Sequence, residues 1–309
     1  MSKTKKIVVV VSAVFLACVI GAGTIIGVYF NGKDFGHFYE IFGGRFDVDE
    51  SIALDLNGVT KIKVDCTSTD IHIVQSDDAV AKLKGTVTSP KEQERYLDVY
   101  RNGNTLYINI GYEYPFLNFY NYFDLSVYLP ESENLDMNVQ CSSGDIDLTN
   151  LKLADLTLSS NSGSVKVNNC EAEKFSFGSS SGDTVIELSD FGSIDIESTS
   201  GNIDISSTSG DIDISSTSGD VTIDMAQHRI DPIKVYVSGG DVRLYLFSDT
   251  AFDLRAKVTS GNILSDLDIE DSDSFSEKFD ENDISGKCNG GGVLVDLKTS
   301  TGNISILEK

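Results

Sequence analysis

From Gly144 onward the chain is built on one repeated unit. A small polar residue, Ser, Gly, Asp or Asn, then apolar, any and apolar recurs, with its glycine at Gly144, Gly163, Gly182 and Gly201, each 19 residues apart. The step becomes nine at Gly210 and Gly219, within TSGNIDISSTSGDIDISSTSGDVTI, then 21 at Gly240 and Gly261 and 41 at Gly302. A step of 19 to 21 is two half-repeats of nine or ten, so the unit is a coil with two sides.

Two and four places after each glycine stand apolar residues, such as Ile146 and Leu148, Val165 and Val167, or Ile203 and Ile205. Seven and five places before it the same alternation gives Met137 and Val139, Leu156 and Leu158, Phe175 and Phe177, Ile194 and Ile196. Alternation of this kind marks strands with one buried face. Between the strands lies a corner of small residues, with Ser or Thr before most of the glycines. Glycine supplies a positive φ there, and the Asp or Asn that follows is expected to bond its own backbone and hold the turn. A five-residue strand cannot bury its face alone, but coils stacked about 4.8 Å apart share one Val/Ile/Leu interior. Residues 136–309 therefore read as a β-solenoid of two-sided coils of 19–21 residues. A row of independent β-hairpins would not need the constant register. Helix-period patterning is absent outside the N-terminus.

Ile7 to Phe30 is 24 residues without a charge, longer than the roughly 20 that cross the hydrocarbon of a bilayer. Lys3, Lys5 and Lys6 precede it, so the reading is a cytoplasmic tail (1–6), one transmembrane helix (7–30) and everything beyond outside the cell. A cleaved signal peptide fits less well, because the run is too long and has no clear cleavage site. Phe15-Leu16-Ala17-Cys18 is a poor lipobox. Beyond residue 33 the chain carries 20 basic against 48 acidic residues, about −28 net. That field excludes nucleic acid, repels anionic headgroups and wall polymers, and favours divalent or cationic partners. Solubility alone also accounts for it. Four cysteines lie outside the membrane, Cys66, Cys141, Cys170 and Cys288, too few for a disulfide scaffold. Cys66 and Cys141 each stand four residues before an Asp. If those turns lie on adjacent coils, the thiols come within disulfide reach.

Residues 31–50 form a juxtamembrane linker, with Phe35, Phe38, Tyr39 and Phe42 as interfacial anchors. Residues 51–135 read as antiparallel strands, with a hairpin signal at Arg101-Asn-Gly103-Asn, expected to cap the first coil and cover its pairing edge. Within this region YEYPFLNFYNYF packs Tyr112, Tyr114, Phe116, Phe119, Tyr120, Tyr122 and Phe123 into twelve residues. As a loop it would expose several rings, a surface for stacking sugars or docking a protein; as a strand its rings would pack on the sheet. An acidic insertion at 271–289 accounts for the long step before Gly302 and reads as an exposed loop.

No catalytic constellation is visible. His37, His72 and His228 are scattered, and no HExxH, GxSxG, P-loop or CxxC pattern occurs. Asp145, Asp183, Asp211, Asp220 and Asp241 repeat after their glycines and could collect Ca²⁺. However, Asn202, Asn262 and Asn303 fill the same place, and the calcium-binding nonapeptide order is missing, which favours turn capping and no metal. β-helical polysaccharide lyases need a basic catalytic residue, for which Arg243, Arg255 and Lys257 are the candidates, each in an alternating strand where a solvent-facing charge is expected.

Ser126-Val-Tyr-Leu-Pro130, followed by Cys141-Ser-Ser-Gly-Asp-Ile-Asp-Leu148, resembles the bacterial β-strand-repeat "putative adhesin" family, which joins a strand region ending in "v.lP" to "sGdi.i" coils. The resemblance spans about residues 50 to 309. It implies a surface or envelope role, in some relatives beside envelope-stress systems, and no assigned ligand, cofactor or catalytic residue. No LPxTG-like signal closes the chain, so attachment is expected through Ile7–Phe30 alone. The combined expectation is a non-enzymatic, membrane-tethered extracellular solenoid acting as an adhesion or interaction module toward an envelope protein or cell-surface ligand. The alternatives are an accessory of an envelope-stress signalling system and a polysaccharide-active enzyme.

Overall fold

The computed structural model describes residues 46–87, 95–110, 122–132, 134–207, 210–271 and 282–309. Among them there is no helix long and apolar enough to cross a membrane, and the expected span Ile7–Phe30 lies outside them. Ahead of the repeats come β1 (Phe46–Ala53), β2 (Lys61–Ser68), β3 (Asp70–Gln75), β4 (Val80–Val87), β5 (Leu97–Asn102), β6 (Thr105–Ile110) and β7 (Tyr122–Leu129). The repeats give β8 (Asp136–Ser143), β9 (Ile146–Thr149), β10 (Asp155–Ser162), β11 (Val165–Asn168), β12 (Glu171–Ser181), β13 (Thr184–Ser198), β14 (Ile203–Ser207), β15 (Asp211–Ser218), β16 (Val221–Met225), β17 (Ile233–Gly239) and β18 (Val242–Leu246). Then follow β19 (Phe252–Ser260), β20 (Ile263–Ser265), β21 (Glu270–Asp271), β22 (Asp283–Cys288), β23 (Val293–Thr301) and β24 (Ile304–Glu308). Phe46 and Val87 are the only described residues of a unit made of 1–46 and 87–92; the rest belong to a unit made of 47–86 and 93–309.

This is an all-β, solenoid-like stack. Strands that lead into the corner glycines form one side, sheet I, in the order β5, β6, β2, β8, β10, β12, the second half of β13, β15, β17, β23, β19, β22 and β21. Strands that leave the glycines form sheet II: β1, β4, β7, β3, β9, β11, the first half of β13, β14, β16, β18, β24 and β20. Register is kept column by column, so Met137, Leu156, Phe175, Ile194, Ile212 and Ile233 lie one over the next and all are buried. Phe175 and Phe191 stack at 5.0 Å, both fully buried, where the column is bulkiest.

Three features differ from the sequence expectation. First, β2 and β3 pair parallel with β8 and β9, so 61–75 is itself a coil of the stack. Ahead of the repeats, β4 against β7 and β5 against β6 pair antiparallel. Secondly, Gly210 stands on the opposite edge from the other corner glycines, facing Phe191 and Gly192, while Gly219 faces Gly201. The coil between Gly201 and Gly219 therefore has 18 residues, and its second strand, β15, belongs to sheet I. Thirdly, the coil of β23 and β24 inserts between that of β17 and β18 and that of β19 and β20. The end of the acidic insertion is β22, antiparallel to β19, rather than an exposed loop; residues 272–281 lie outside the described residues.

The 19-residue coils hold one residue more than the 18-residue coil, and the extra position is Leu188. Glu187 pairs with Ser206 and Ser189 with Ser207, so Leu188 is left over as a bulge. It is 72 % exposed with φ of 51°, in a column whose earlier members, Asn150 and Asn169, also have positive φ and are joined by a 2.7 Å side-chain bond. Asparagine tolerates this conformation and leucine does not. Leu188→Asn is therefore expected to raise stability by about 0.5–1 kcal/mol, measurable by urea unfolding, and it would offer Asn169 a further rung.

Candidate functional site

The corner edge is held by two ladders. Three residues before five of the glycines an inward side chain turns its hydroxyl or thiol to the carbonyl two residues on: Cys141 to Ser143, Ser179 to Ser181, Ser198 to Ser200, Ser216 to Ser218 and Thr299 to Thr301. At the corner, the Asp or Asn of successive coils accepts the amide N–H of the neighbouring coil rather than its own, which corrects the expected Asx turn. Asp70 Oδ1 accepts from Asp145 (3.0 Å), Asp183 from Asn202 (2.8 Å), Asn202 from Asp220 (3.0 Å), Asp220 from Asp241 (2.9 Å) and Asp241 from Asn303 (2.8 Å). One acceptor oxygen suffices, so Asp and Asn interchange freely. Arg243 bridges Asp220 (2.9 Å) and Asp241 (2.7 Å).

The Asp241 amide and the Arg243 guanidinium hold the Asp220 carboxyl below its ordinary range. A depressed folded-state value means the contribution is present above the unfolded carboxylate value, near 3.9, and is lost as pH falls through the folded value. Asp220→Asn, which keeps the rung but cannot titrate, is expected to flatten the loss of stability below about pH 4; Asp220→Ala is expected to weaken stability at neutral pH as well. Thermal melts across pH 2–7 separate the two.

Of the expected calcium candidates, Asp145, Asp183, Asp220 and Asp241 belong to this ladder, with one oxygen each committed to a backbone amide, while Asp211 follows Gly210 on the opposite edge. Among the described residues no group of three or more His, Cys, Asp or Glu is placed to hold a metal. Of the aromatic candidates, Tyr112, Tyr114, Phe116, Phe119 and Tyr120 lie outside the described residues. Tyr122 is 57 % exposed and donates its hydroxyl to Asp70 (2.8 Å), and Phe123 is buried. His72 lies 3.7 Å from Asp124 and 4.0 Å from Asp147 on the outer face of sheet II, while His228 meets Asp249 at 2.5 Å on a separate edge. Lys257 pairs with Asp283. Cys66 and Cys141 do lie on adjacent coils, in register and buried, and both are free thiols. Burial, then the neighbouring Cys141, pushes the Cys66 thiol up; burial carries Cys170 to about 11.

What sequence reading missed is a hollow on the outer face of sheet I. A trough of about 760 Å³ runs across the strands from β10 to β19. Its floor is the row four residues before the corner glycines, Ser159, Gly178, Glu197, Ser215, Tyr236 and Lys298, and its wall is the row two residues before them, all Ser, Thr or Asn in these coils. A second hollow of about 220 Å³ adjoins it and shares Gly178 and Glu197. On β17 the Tyr236 hydroxyl bonds Asp296 (2.9 Å) and Lys298 (3.1 Å), and Lys234 and Lys298 lie over its ring at 4.8 and 4.5 Å. The signal was present as Ser159, Gly178 and Ser215 at an outward position that carries Gln140, Glu197, Tyr236 and Lys298 in other coils, but period-2 reading scores only the inward face.

No curated protein matches the chain. Among solved structures, it is similar to a "putative adhesin" of Parabacteroides distasonis (15 % identity, covering 86 % of this chain and 99 % of that one, TM-score 0.44). It is also similar to one of Bacteroides fragilis (14 %, 85 % and 97 %, TM-score 0.41) and to a "putative cell adhesion protein" of Clostridium sporogenes (12 %, 85 % and 100 %, TM-score 0.25). The Toastrack DUF4097 family model matches residues 59–307, from the β2 coil through the inserted coil of β23 and β24. With that match covering most of its length, the chain belongs to the Toastrack DUF4097 family.

Proposed function

We propose that this protein is a non-enzymatic, membrane-tethered interaction module of the cell envelope, anchored by Ile7–Phe30 with its stack outside the cell. The observation that carries the reading is the trough: a ligand-sized concavity on a face whose backbone is locked by in-register pairing along its whole length. A rigid scaffold presenting a polar groove binds with little ordering cost. The uncharged N-terminal run preceded by three lysines supports the topology, and the names of the similar solved structures agree with an adhesive role.

The test is crosslinking of the full-length protein in its native membrane followed by mass spectrometry, with protease treatment of intact cells as the topology arm. Reproducible envelope neighbours and external cleavage are expected. Absence of any neighbour above background, or protection of the stack from external protease, would overturn the reading. Neighbours confined to membrane proteins and dependent on residues 1–33 would assign the interaction to the anchor instead, as for a signalling accessory.

A further inference from the structure

We propose that Cys66 and Cys141 are a disulfide-forming pair: oxidised by a low-molecular-weight disulfide, they close a covalent staple between the coil of β2 and β3 and the coil of β8 and β9. The inference stands apart from the trough and from the identity of any binding partner.

The fold brings the two thiols together. β2 and β8 pair in parallel with Cys66 opposite Cys141, so their Cα atoms stand one strand spacing apart, about 4.8 Å. That lies inside the range of about 4.4–6.8 Å that disulfides span. Both side chains face the interior, and each residue is 2 % exposed. Cys141 Sγ already leans across the gap and donates to the Thr69 carbonyl (3.4 Å), three residues beyond Cys66 on the neighbouring coil. Further along this column Ser160, Ser179, Ser198 and Ser216 follow in register, so cysteine stands where two coils touch and serine takes over beyond them. Cys170, which donates to the Leu148 and Asn168 carbonyls, and Cys288, opposite Phe252 on β19, stand elsewhere in the stack.

A link here closes a long loop. Cys66 and Cys141 are 75 residues apart in the chain, against 18 to 21 for partners on neighbouring coils from β8 to β18. β4 to β7 intervene, so the first coil is held to the second by strand pairing rather than by a short connection. The cost of closing a loop grows with its length, and a bond that closes it in advance stabilises the fold accordingly. The exchange balances. One cysteine thiolate attacks a sulfur of the small disulfide and releases a thiolate; the second attacks the protein sulfur of the mixed disulfide and releases the other. Two electrons pass to the small disulfide, and the two cysteine protons end on the two thiols it becomes. Burial pushes both cysteine thiols up, so thiolate is scarce in the closed stack and exchange runs when the coil opens. An oxidising exterior, where the proposed topology puts the stack, preserves such a bond.

The full-length chain in detergent is held in glutathione with glutathione disulfide, at a sub-denaturing urea concentration that lets the coil open, and a second sample in reduced glutathione alone. Each is freed of urea, then either alkylated after denaturation for mass spectrometry or melted thermally. The oxidised chain is expected to carry two fewer alkyl labels, to yield a linked peptide pair joining Cys66 to Cys141, and to melt about 5–10 °C higher. Added reductant is expected to return it to the lower value. Cys66→Ser and Cys141→Ser are each expected to fold, since serine fills this column in four other coils, and to show no such rise. If either fails to fold, the peptide pair and the melts of the parent chain decide alone. A chain labelled at every cysteine, a link that joins other cysteines in place of these, a bonded product that melts no higher than the reduced chain, or a rise that persists in both serine variants would each overturn the proposal.

Discussion

Gly201→Ala is expected to destabilise the protein by about 4 kcal/mol or more, the range reached when a residue is forced against its backbone conformation and its neighbour at once. Gly201 has φ of 113°, and a Cβ added there would lie 2.1 Å from the carbonyl oxygen of Gly182. Neither side can yield. Gly182 is pinned by the same contact to Gly163, and the Asn202 amide beside Gly201 is bonded to Asp183. Relief of the clash would have to separate two coils and break the rungs on both sides of the corner. The informative comparison is Gly178→Ala, one coil away, where the backbone is ordinary and the space open; this is expected to be neutral or to stabilise by up to about 1 kcal/mol. Urea unfolding reads the first change, and thermal unfolding is expected to show a fall in melting temperature of about 10 °C or more. Equal effects at the two glycines would mean that loss of glycine flexibility, not the packed corner, sets the cost.

That contrast also shows what the sequence makes legible. The inward pairs, such as Leu156 with Leu158 and Ile194 with Ile196, and the corner glycines were readable because alternation and positive φ are local demands. Which coil lies beside which is not local. The coil of β2 and β3 escaped notice because it turns at Thr69 without a glycine, so the repeat signature is missing although Cys66 pairs with Cys141. Gly210 lies half a coil from Gly201, as a nine-residue half-repeat requires, but half-coils of identical sequence do not tell which glycine keeps to the corner edge. The trough was invisible for a related reason: Gly178 is informative only once the rows to either side are known to be its neighbours.

The inserted C-terminal coil carries the last expectation. In a simple solenoid, damage to the final coil would fray one end and leave earlier coils intact. Here β23 lies between β17 and β19, so the final coil in sequence is an inner layer in space. Leu297 is fully buried in β23, with Val235 on one side and Ala256 on the other. Leu297→Asp would place a carboxylate in that interior without a partner, at a cost of more than about 4 kcal/mol, enough to expel the layer. Hydrogen exchange is expected to show loss of protection not only over 293–301 but also over 252–260, which precedes it in the chain, while β10 and β12 stay protected. Because β19 otherwise keeps only the antiparallel β22 beside it, it has no other parallel neighbour to fall back on in sheet I. Loss confined to 293–308 would instead mean that β19 holds its place without β23, and that the coils stack in the order of the chain.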